Sequence, residues 1–134
     1  MPRASHVPTF GLTHVALSVR DVKRSLRFYN AVLGAATVYQ GPDFAQAQTP
    51  GSRDVLVFER KPKQAGKAGG IVHFGFRLRK PADIKKALKA VQQAGGTILS
   101  QGEFVPGEPY VFFKDPDGYE VEIWYERPTP ADPK

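Results

Sequence analysis

Apolar and polar residues alternate near the start of the chain, and a helical pattern follows directly. In GLTHVALSV (11–19) every second residue from Val15 onward is apolar, which is the period of a half-buried strand. Asp21 is a predicted helix N-cap, and Gly34 stands where helices commonly end. The apolar positions between them recur at helical spacing: Val22, Leu26, Tyr29 and Leu33.

Three strand-like runs follow this helix, near residues 35–40, 44–49 and 54–60. Gly-Pro-Asp and Pro-Gly-Ser separate them, and both tripeptides are typical of turns. The next segment, KPKQAGKAGG (61–70), is polar, basic and rich in glycine, so we interpret it as a linker.

The same pattern then restarts. IVHFGFRLR (71–79) predicts a strand, Pro81 opens a helix, and Gly95 with Gly96 ends it. The apolar face of this helix carries Ile84, Leu88 and Val91, and strand-like runs follow near 97–104, 109–114 and 119–126. The order strand, helix, strand, strand, strand thus occurs twice, which predicts an α+β fold of two βαβββ modules.

These patterns define one domain with short ends. We expect the domain over 10–127, with module 1 at about 10–60, the linker at 61–70, module 2 at about 71–127, and flexible termini at 1–9 and 128–134.

Composition narrows the class of protein. The 134 residues include no cysteine, so the chain itself brings no disulfide, thiolate metal site or cysteine nucleophile. The net charge of +6 comes from basic residues scattered over helix faces and the linker, which indicates a solvated surface rather than a nucleic-acid partner. Without an apolar run long enough for a membrane span or a signal peptide, we expect a cytoplasmic protein with no membrane partner.

Strand parity places possible metal ligands on one face. If the alternating apolar residues face the helices, His14 and His73 face away from them. In DPDGYEVEIW (115–124), Glu120, Glu122 and Trp124 face away as well. Two imidazoles and one carboxylate can bind a divalent metal ion and leave some of its coordination positions free for a substrate. A single histidine is more often structural, but matched placement in both repeats favours the metal site.

Three stretches carry a family resemblance: LTHVALSVRDVKRSLRFYNAVLG, IVHFGFRL and FFKDPDGYEVEIW. Over residues 11–126 the chain resembles the vicinal oxygen chelate superfamily, which includes glyoxalase I, fosfomycin resistance thiol transferases, extradiol dioxygenases and bleomycin resistance proteins. The resemblance implies a cupped, mixed eight-stranded sheet with the helices on its outer face. It also implies that His14, His73 and Glu122 bind the metal. Glu120 is nearer the turn, and we expect it at the cavity rim or in solvent.

A possible fourth ligand is left open. The resemblance to glyoxalase I implies a second glutamate from the last strand of module 1, where direct alignment places Val57. Glu59 has the same parity, and a shift of two residues would bring it to that position. Glu122 and Glu59 are therefore the candidate catalytic carboxylates.

Further residues predicted to face away from the helices could bind a substrate. Arg77 follows His73 on the same face and would bind a carboxylate or phosphonate, unless it is simply an exposed arginine at a strand end. Tyr110 and Phe112 share a face and could form an aromatic wall or pack in the core. Trp124 shares the parity of Glu122.

These features predict a metal-dependent enzyme acting on a small, anionic, oxygen-bearing molecule. The cofactor is one divalent ion per site (Fe, Mn, Ni, Zn or Mg), and the reaction is open among glyoxalase-like isomerisation or lyase chemistry, thiol transfer and dioxygenation. The alternative is a metal-free drug-binding protein of the bleomycin resistance type.

The resemblance also implies a homodimer in which His14 of one chain joins His73 and Glu122 of the other. The linker, with a typical span of about 17 Å, permits either this arrangement or a monomer with an internal cup.

Overall fold

The computed structural model describes residues 6–133 and contains the predicted repeat of elements. Module 1 consists of β1 (His14–Val19), α1 (Val22–Leu33), β2 (Ala36–Gln40), β3 (Phe44–Gln48) and β4 (Val55–Arg60). Module 2 consists of β5 (Phe74–Arg77), α2 (Ile84–Gln93), β6 (Thr97–Glu103), β7 (Pro109–Lys114) and β8 (Glu120–Trp124), and a short 3-10 turn at Pro81–Asp83 leads into α2. The two βαβββ modules and the α+β class are therefore confirmed.

The eight strands form two mixed sheets of four strands each. The strand orders are β1-β4-β3-β2 and β5-β8-β7-β6. In each sheet the first strand pairs in parallel with the last, and the remaining neighbours are antiparallel. Within this single chain the expected eight-stranded cup is thus divided into two halves, with β1 and β5 each at an edge.

The first helix begins and ends as its sequence predicts. Asp21 accepts a hydrogen bond from the backbone N–H of Arg24 at 3.1 Å, which satisfies one of the free amide groups of the first turn. Gly34 adopts the left-handed conformation, with φ of 69°, as a C-cap glycine does. The buried face of α1 carries Val22, Ser25, Leu26, Phe28 and Tyr29.

Both modules bury their helix-facing sides in one shared core. Leu17 and Val19 of β1 are buried in it together with Val121 and Ile123 of β8. The aromatic ring of Phe28 on α1 lies 6.1 Å from that of Phe113 on β7, measured between ring centroids. The opposite face of each sheet is therefore turned away from this core; we call these two surfaces the open faces.

The first strand of each module is shorter than expected, and His73 lies directly before β5. β1 begins at His14, and Leu12 before it is 98% exposed. β5 begins at Phe74, so Ile71 and Val72 precede it and are exposed, although alternation placed Val72 on the helix side. The parity argument holds only from the histidines onward, because the residues before them have no core to pack against.

A turn at the start of β8 joins the two modules. Asp117 of the Asp-Pro-Asp-Gly turn accepts hydrogen bonds from the backbone N–H of Arg20 at 3.0 Å and from the Arg24 guanidinium at 3.0 Å. In the same turn Asp115 accepts from the Tyr29 hydroxyl at 2.7 Å. The Tyr119 hydroxyl donates to the carbonyl of Ser18 at 2.8 Å. We call this set of contacts the module joint.

The predicted linker packs against the module joint. Ala65 is buried, and its carbonyl accepts a hydrogen bond from the Arg20 guanidinium at 3.4 Å. Gly66 has φ of 82°, and a Cβ atom there would collide with the backbone carbonyl of Asp117. The linker glycine at this position is thus required by close backbone approach.

The chain ends were expected to be flexible, and this stays a prediction. Residues 1–5 and 134 lie outside the described residues. In the described part of the C-terminal segment, Asp132 is hydrogen-bonded to Thr129 and Arg77. No helix within residues 6–133 is long and apolar enough to cross a membrane.

Replacing Tyr29 with phenylalanine tests the module joint. Burial raises the pKa of Asp115, and the hydrogen bond from Tyr29 partly offsets that rise. Without the hydroxyl, a buried carboxylate loses a donor, so we expect a loss of about 1–2 kcal/mol in the free energy of unfolding near neutral pH.

The loss should depend on pH in a defined direction. Removing the hydroxyl raises the native pKa of Asp115 further, so the cost is present where the carboxylate is ionised. It should shrink as pH falls through that raised pKa. Urea unfolding at several pH values measures it, and Tyr39→Phe at an exposed tyrosine is the matched control. Equal losses for both variants would contradict this role of Tyr29.

Candidate metal centre

His73 and Glu122 meet on the open face of the second sheet. Glu122 lies on β8 opposite Gly75 of β5, and its Oε1 atom lies 3.4 Å from Nε2 of His73. The Glu122 side chain is only 12% exposed. A Cβ atom on Gly75 would lie 3.6 Å from Oε1 of Glu122, so the glycine leaves room beside this carboxylate.

The surroundings of Glu122 shift its protonation. Burial raises the pKa of Glu122, and the neighbouring His73 acts in the opposite direction. A carboxylate that is partly removed from water and has only one nearby imidazole gains from a further positive charge. A bound cation would supply such a charge, so this setting is compatible with the predicted metal-binding role of Glu122.

Glu120 lies at the edge of this pair. Its Oε2 atom is 3.9 Å from Nδ1 of His73, which is too far for a hydrogen bond. Its side chain is 37% exposed, about three times the fraction of Glu122. Glu120 is therefore less recessed than Glu122, and both expected positions, at the rim of a site or in solvent, stay open.

His14 lies on the other open face. It starts β1 at the edge of the first sheet and is exposed. Among residues 6–133 of one chain, no three His, Asp or Glu side chains come together in a group that could hold a metal ion. One chain therefore presents two incomplete halves: His73 with Glu122 on the second sheet, and His14 on the first.

The strand register locates the counterpart of Glu122 in module 1. Glu122 is paired with Gly75, two residues after His73, and Val57 is paired with Ala16, two residues after His14. Val57 thus occupies the equivalent position, and it is buried.

Glu59 lies further along the same strand. It is paired with Ser18, and its Oε1 atom forms an ion pair with Nζ of Lys61 at 3.0 Å. The structure therefore does not bring Glu59 to the position equivalent to that of Glu122.

Aromatic side chains surround the His73–Glu122 pair. Phe112 lies opposite Glu122 in the register, and its ring contacts the His73 ring edge to face at 5.0 Å. Tyr110 packs against Phe112 at 5.5 Å and is the register partner of Trp124. We call these contacting rings on the open face the aromatic wall; their role in binding a substrate stays a prediction.

Phe104 extends this wall, although the sequence pattern did not predict it there. Its ring stacks on Tyr110 at 4.1 Å, just beyond the end of β6. It is 55% exposed. The register of the β6–β7 hairpin sets this contact, and a bulge between Ile98 and Ser100 prevents simple alternation from predicting it.

Arg77 lies on the open face, and its guanidinium is already paired with a carboxylate of the same chain. It is the register partner of Trp124, one row beyond the Gly75–Glu122 row. Its guanidinium forms a bidentate ion pair with Asp132 of the C-terminal segment, at 2.7 and 3.0 Å. The interpretation of residues 128–134 as flexible therefore omitted a specific contact at Asp132.

Comparison with known proteins agrees with this architecture. The chain is 28% identical over 123 residues to Catechol-2,3-dioxygenase of Bacillus subtilis, covering 87% of this chain but only 42% of that protein. It is 27% identical over 124 residues to the Trivalent organoarsenical cleaving enzyme of a Bacillus species, covering 87% of this chain and 73% of that enzyme.

Solved structures share the fold, and a family profile covers most of the chain. The fosfomycin resistance protein FosX of Mesorhizobium loti superposes with a TM-score of 0.73 at 19% identity, covering 89% of this chain and 94% of that one. The profile of the Glyoxalase/Bleomycin resistance protein/Dioxygenase superfamily matches residues 11–123. The chain therefore belongs to the Glyoxalase/Bleomycin resistance protein/Dioxygenase superfamily.

Proposed function

We propose that this chain is a divalent-metal enzyme whose site is completed by a second copy of itself. The observation that carries the proposal is the pair of His73 and Glu122, 3.4 Å apart on an aromatic-lined open face. Their imidazole and carboxylate groups are suitable ligands for a transition metal. His14 of the second copy would supply the third ligand.

The donor set fits a divalent ion that keeps positions open for substrate. Two imidazoles and one carboxylate occur with non-haem iron and also suit manganese, nickel, zinc or magnesium to different degrees. When bound, such an ion supplies Lewis-acid polarisation of substrate oxygen atoms. The protein contributes the recessed position of Glu122 and the aromatic wall beside it. A role for Glu122 as a base is part of this proposal.

The shared site is inferred from the module joint. The joint holds the helix sides of both modules together in one core, while the ligands lie on the two open faces. His14 and His73 belong to different sheets. A second chain would bring its His14 to the His73–Glu122 pair without breaking either joint, and would also cover the edge strands β1 and β5.

The aromatic wall favours a flat substrate. Phe112, Tyr110 and Phe104 form a continuous series of ring contacts that begins at His73. Stacked and edge-to-face arrangements of this kind readily accept a further ring. We therefore propose a small aromatic molecule with adjacent oxygen atoms, such as a catechol, as the substrate class.

Two other reactions fit the residues less well. Val57 stands at the position equivalent to Glu122. The second glutamate expected for glyoxalase-type isomerisation is therefore missing from that position, and Glu59 lies two residues further along β4. Trivalent arsenic binds thiolates strongly, and this chain contains no cysteine. Catechol ring cleavage by dioxygen is therefore the first reaction to test.

Metal titration separates the proposed enzyme from a metal-free binding protein. Mn²⁺ added to metal-free protein, followed by loss of the free-ion EPR signal, should show about one ion per chain. Glu122→Gln should weaken binding by more than about 100-fold, since even outer residues of metal sites change affinity by 10–100-fold.

Glu59→Gln is the matched control, because it removes a carboxylate of the same parity that is paired with Lys61. It should leave the Mn²⁺ affinity nearly unchanged. An equal loss in both variants would restore Glu59 as a ligand. No binding by the parent protein would favour the metal-free alternative.

Mixing two inactive variants tests the shared site. His14→Ala and Glu122→Ala each disable every site in their own homodimers. After joint unfolding and refolding in equal amounts, about half of the dimers should be mixed, and each mixed dimer should have one intact site. Mn²⁺ capacity should then reach about a quarter of the wild-type value. If wild type refolds well but the mixture binds no Mn²⁺, each chain builds its own site.

A reaction panel tests the substrate class. Iron-loaded protein should consume dioxygen with catechol and produce a ring-opened product, while a methylglyoxal–glutathione hemithioacetal should remain unchanged. Phe112→Leu should raise KM for catechol, because the ring contact is lost, while Phe44→Leu on the other sheet should have a smaller effect. Turnover of the hemithioacetal in place of catechol would contradict this assignment.

A further inference from the structure

The segment that follows β8 is hydrogen-bonded to the guanidinium of Arg77. Nη1 of Arg77 donates to Oδ1 of Asp132 at 2.7 Å, and Nη2 donates to Oδ2 at 3.0 Å. Nη2 also donates to the carbonyls of Glu126 and Arg127 at 3.1 and 3.3 Å. The C-terminal segment thus provides the Asp132 carboxylate in bidentate geometry, two carbonyl oxygens, and the more distant carboxylate of Glu126, whose Oε2 atom lies 3.7 Å from Nη1.

This contact occupies a place next to the proposed metal ligands. Along β5, Gly75 is paired with Glu122 and Arg77 is paired with Trp124. Across the sheet, Trp124 is paired with Tyr110 of the aromatic wall. A flat ligand lying on that wall with a carboxylate at its end would therefore reach the guanidinium now held by Asp132.

Asp132 is held in position but not buried. Its carboxylate accepts hydrogen bonds from the backbone N–H of Thr129 at 3.1 Å and from the Thr129 hydroxyl at 3.2 Å. The side chains of Arg77 and Asp132 are 31% and 27% exposed. Ion pairs in contact with solvent contribute little net stability, so an incoming carboxylate can displace this one.

The contact does not respond to pH near neutrality. Hydrogen bonds from Arg77 and Thr129 lower the pKa of Asp132 to about 2. With a native pKa below the usual range, the carboxylate stays ionised until the pH falls through that value. Competing anions and salt, rather than pH, are therefore the conditions under which we expect the contact to weaken.

We propose that Arg77 binds the carboxylate of a ligand on the open face of the second sheet. In the absence of that ligand, the Asp132 carboxylate binds Arg77 in its place, and a carboxylate-bearing ligand displaces Asp132. The proposal depends on the proposed function only in taking this open face as the substrate surface. It assigns the C-terminal segment a role in ligand selection.

The fluorescence of the single tryptophan can report ligand binding beside Arg77. Trp124 is the only tryptophan and the register partner of Arg77. Metal-free protein is titrated with phenylacetate and, separately, with neutral 2-phenylethanol, while tryptophan fluorescence is followed. Phenylacetate should bind more tightly than 2-phenylethanol.

Asp132→Asn should tighten phenylacetate binding about threefold to fivefold, because removing an exposed ion pair increases the fraction of free Arg77. Binding of 2-phenylethanol should not change. Asp83→Asn removes an equal charge from an exposed position beside Lys86, and as the matched control it should leave both affinities unchanged.

The Arg77 variants complete the test. Arg77→Met should abolish the preference for phenylacetate, and adding Asp132→Asn to it should have no further effect. Arg77→Lys should retain part of the preference, since it keeps the charge and loses the bidentate geometry.

Equal phenylacetate affinity in wild type and Asp132→Asn would overturn the proposal, as would equal tightening of both ligands. The absence of phenylacetate binding in every variant would overturn it too. Because all titrations use metal-free protein, these results are independent of whether the Mn²⁺ titration succeeds.

Discussion

The geometry of the candidate site depends on the module joint, above all on the ion pair between Asp117 and Arg24. The side chain of Asp117 is 1% exposed. Its Oδ1 atom accepts hydrogen bonds at 3.0 Å from the backbone N–H of Arg20, which follows β1, and from the guanidinium of Arg24 on α1. A buried carboxylate that lost these partners would be strongly destabilised. The residues after Asp117 run directly into β8. The joint thus determines where Glu122 lies relative to β1 and α1, and it keeps the helix sides of the two sheets together.

The two modules share a register but not a set of ligands. Each has a histidine at or directly before the start of its first strand, His14 or His73, and a small residue two positions later, Ala16 or Gly75. Opposite these small residues stand Val57 in module 1 and Glu122 in module 2. Val57 is only 7% exposed, where an unpaired carboxylate would be costly. Module 1 therefore offers one imidazole, and module 2 offers an imidazole and a carboxylate.

Local pattern was sufficient to predict the modules and the face on which the candidate ligands lie. The caps of α1 and the alternation in β1 and β8 are properties of short segments, and burial of Leu17 and Val121 confirms them. Alternation failed at Val72, because the strand it was assigned to begins only at Phe74. Short-range pattern carries no information about where the core ends.

Long-range pairings could not be read in the same way. Arg77 and Asp132 are 55 residues apart, and no periodicity links a strand to a proline-rich tail. The packing of Ala65 against Arg20 and the pairing of β1 with β4 and of β5 with β8 likewise join residues far apart in the chain. The joint itself arises from a turn whose sequence predicts only a turn.

The two open faces differ in chemistry, and this difference sets how a substrate would be held in a shared site. The face of module 2 carries the aromatic wall and Arg77, which suit a ring and a carboxylate. The face of module 1 carries Gln46 opposite Val57, and Gln48 lies two residues further along β3. Both amides are half-buried and can donate and accept hydrogen bonds. In a shared site the ring would therefore rest on module 2 of one chain, while His14, Gln46 and Gln48 of the other would face its polar substituents. Recognition of the ring and recognition of its substituents would then be properties of different chains.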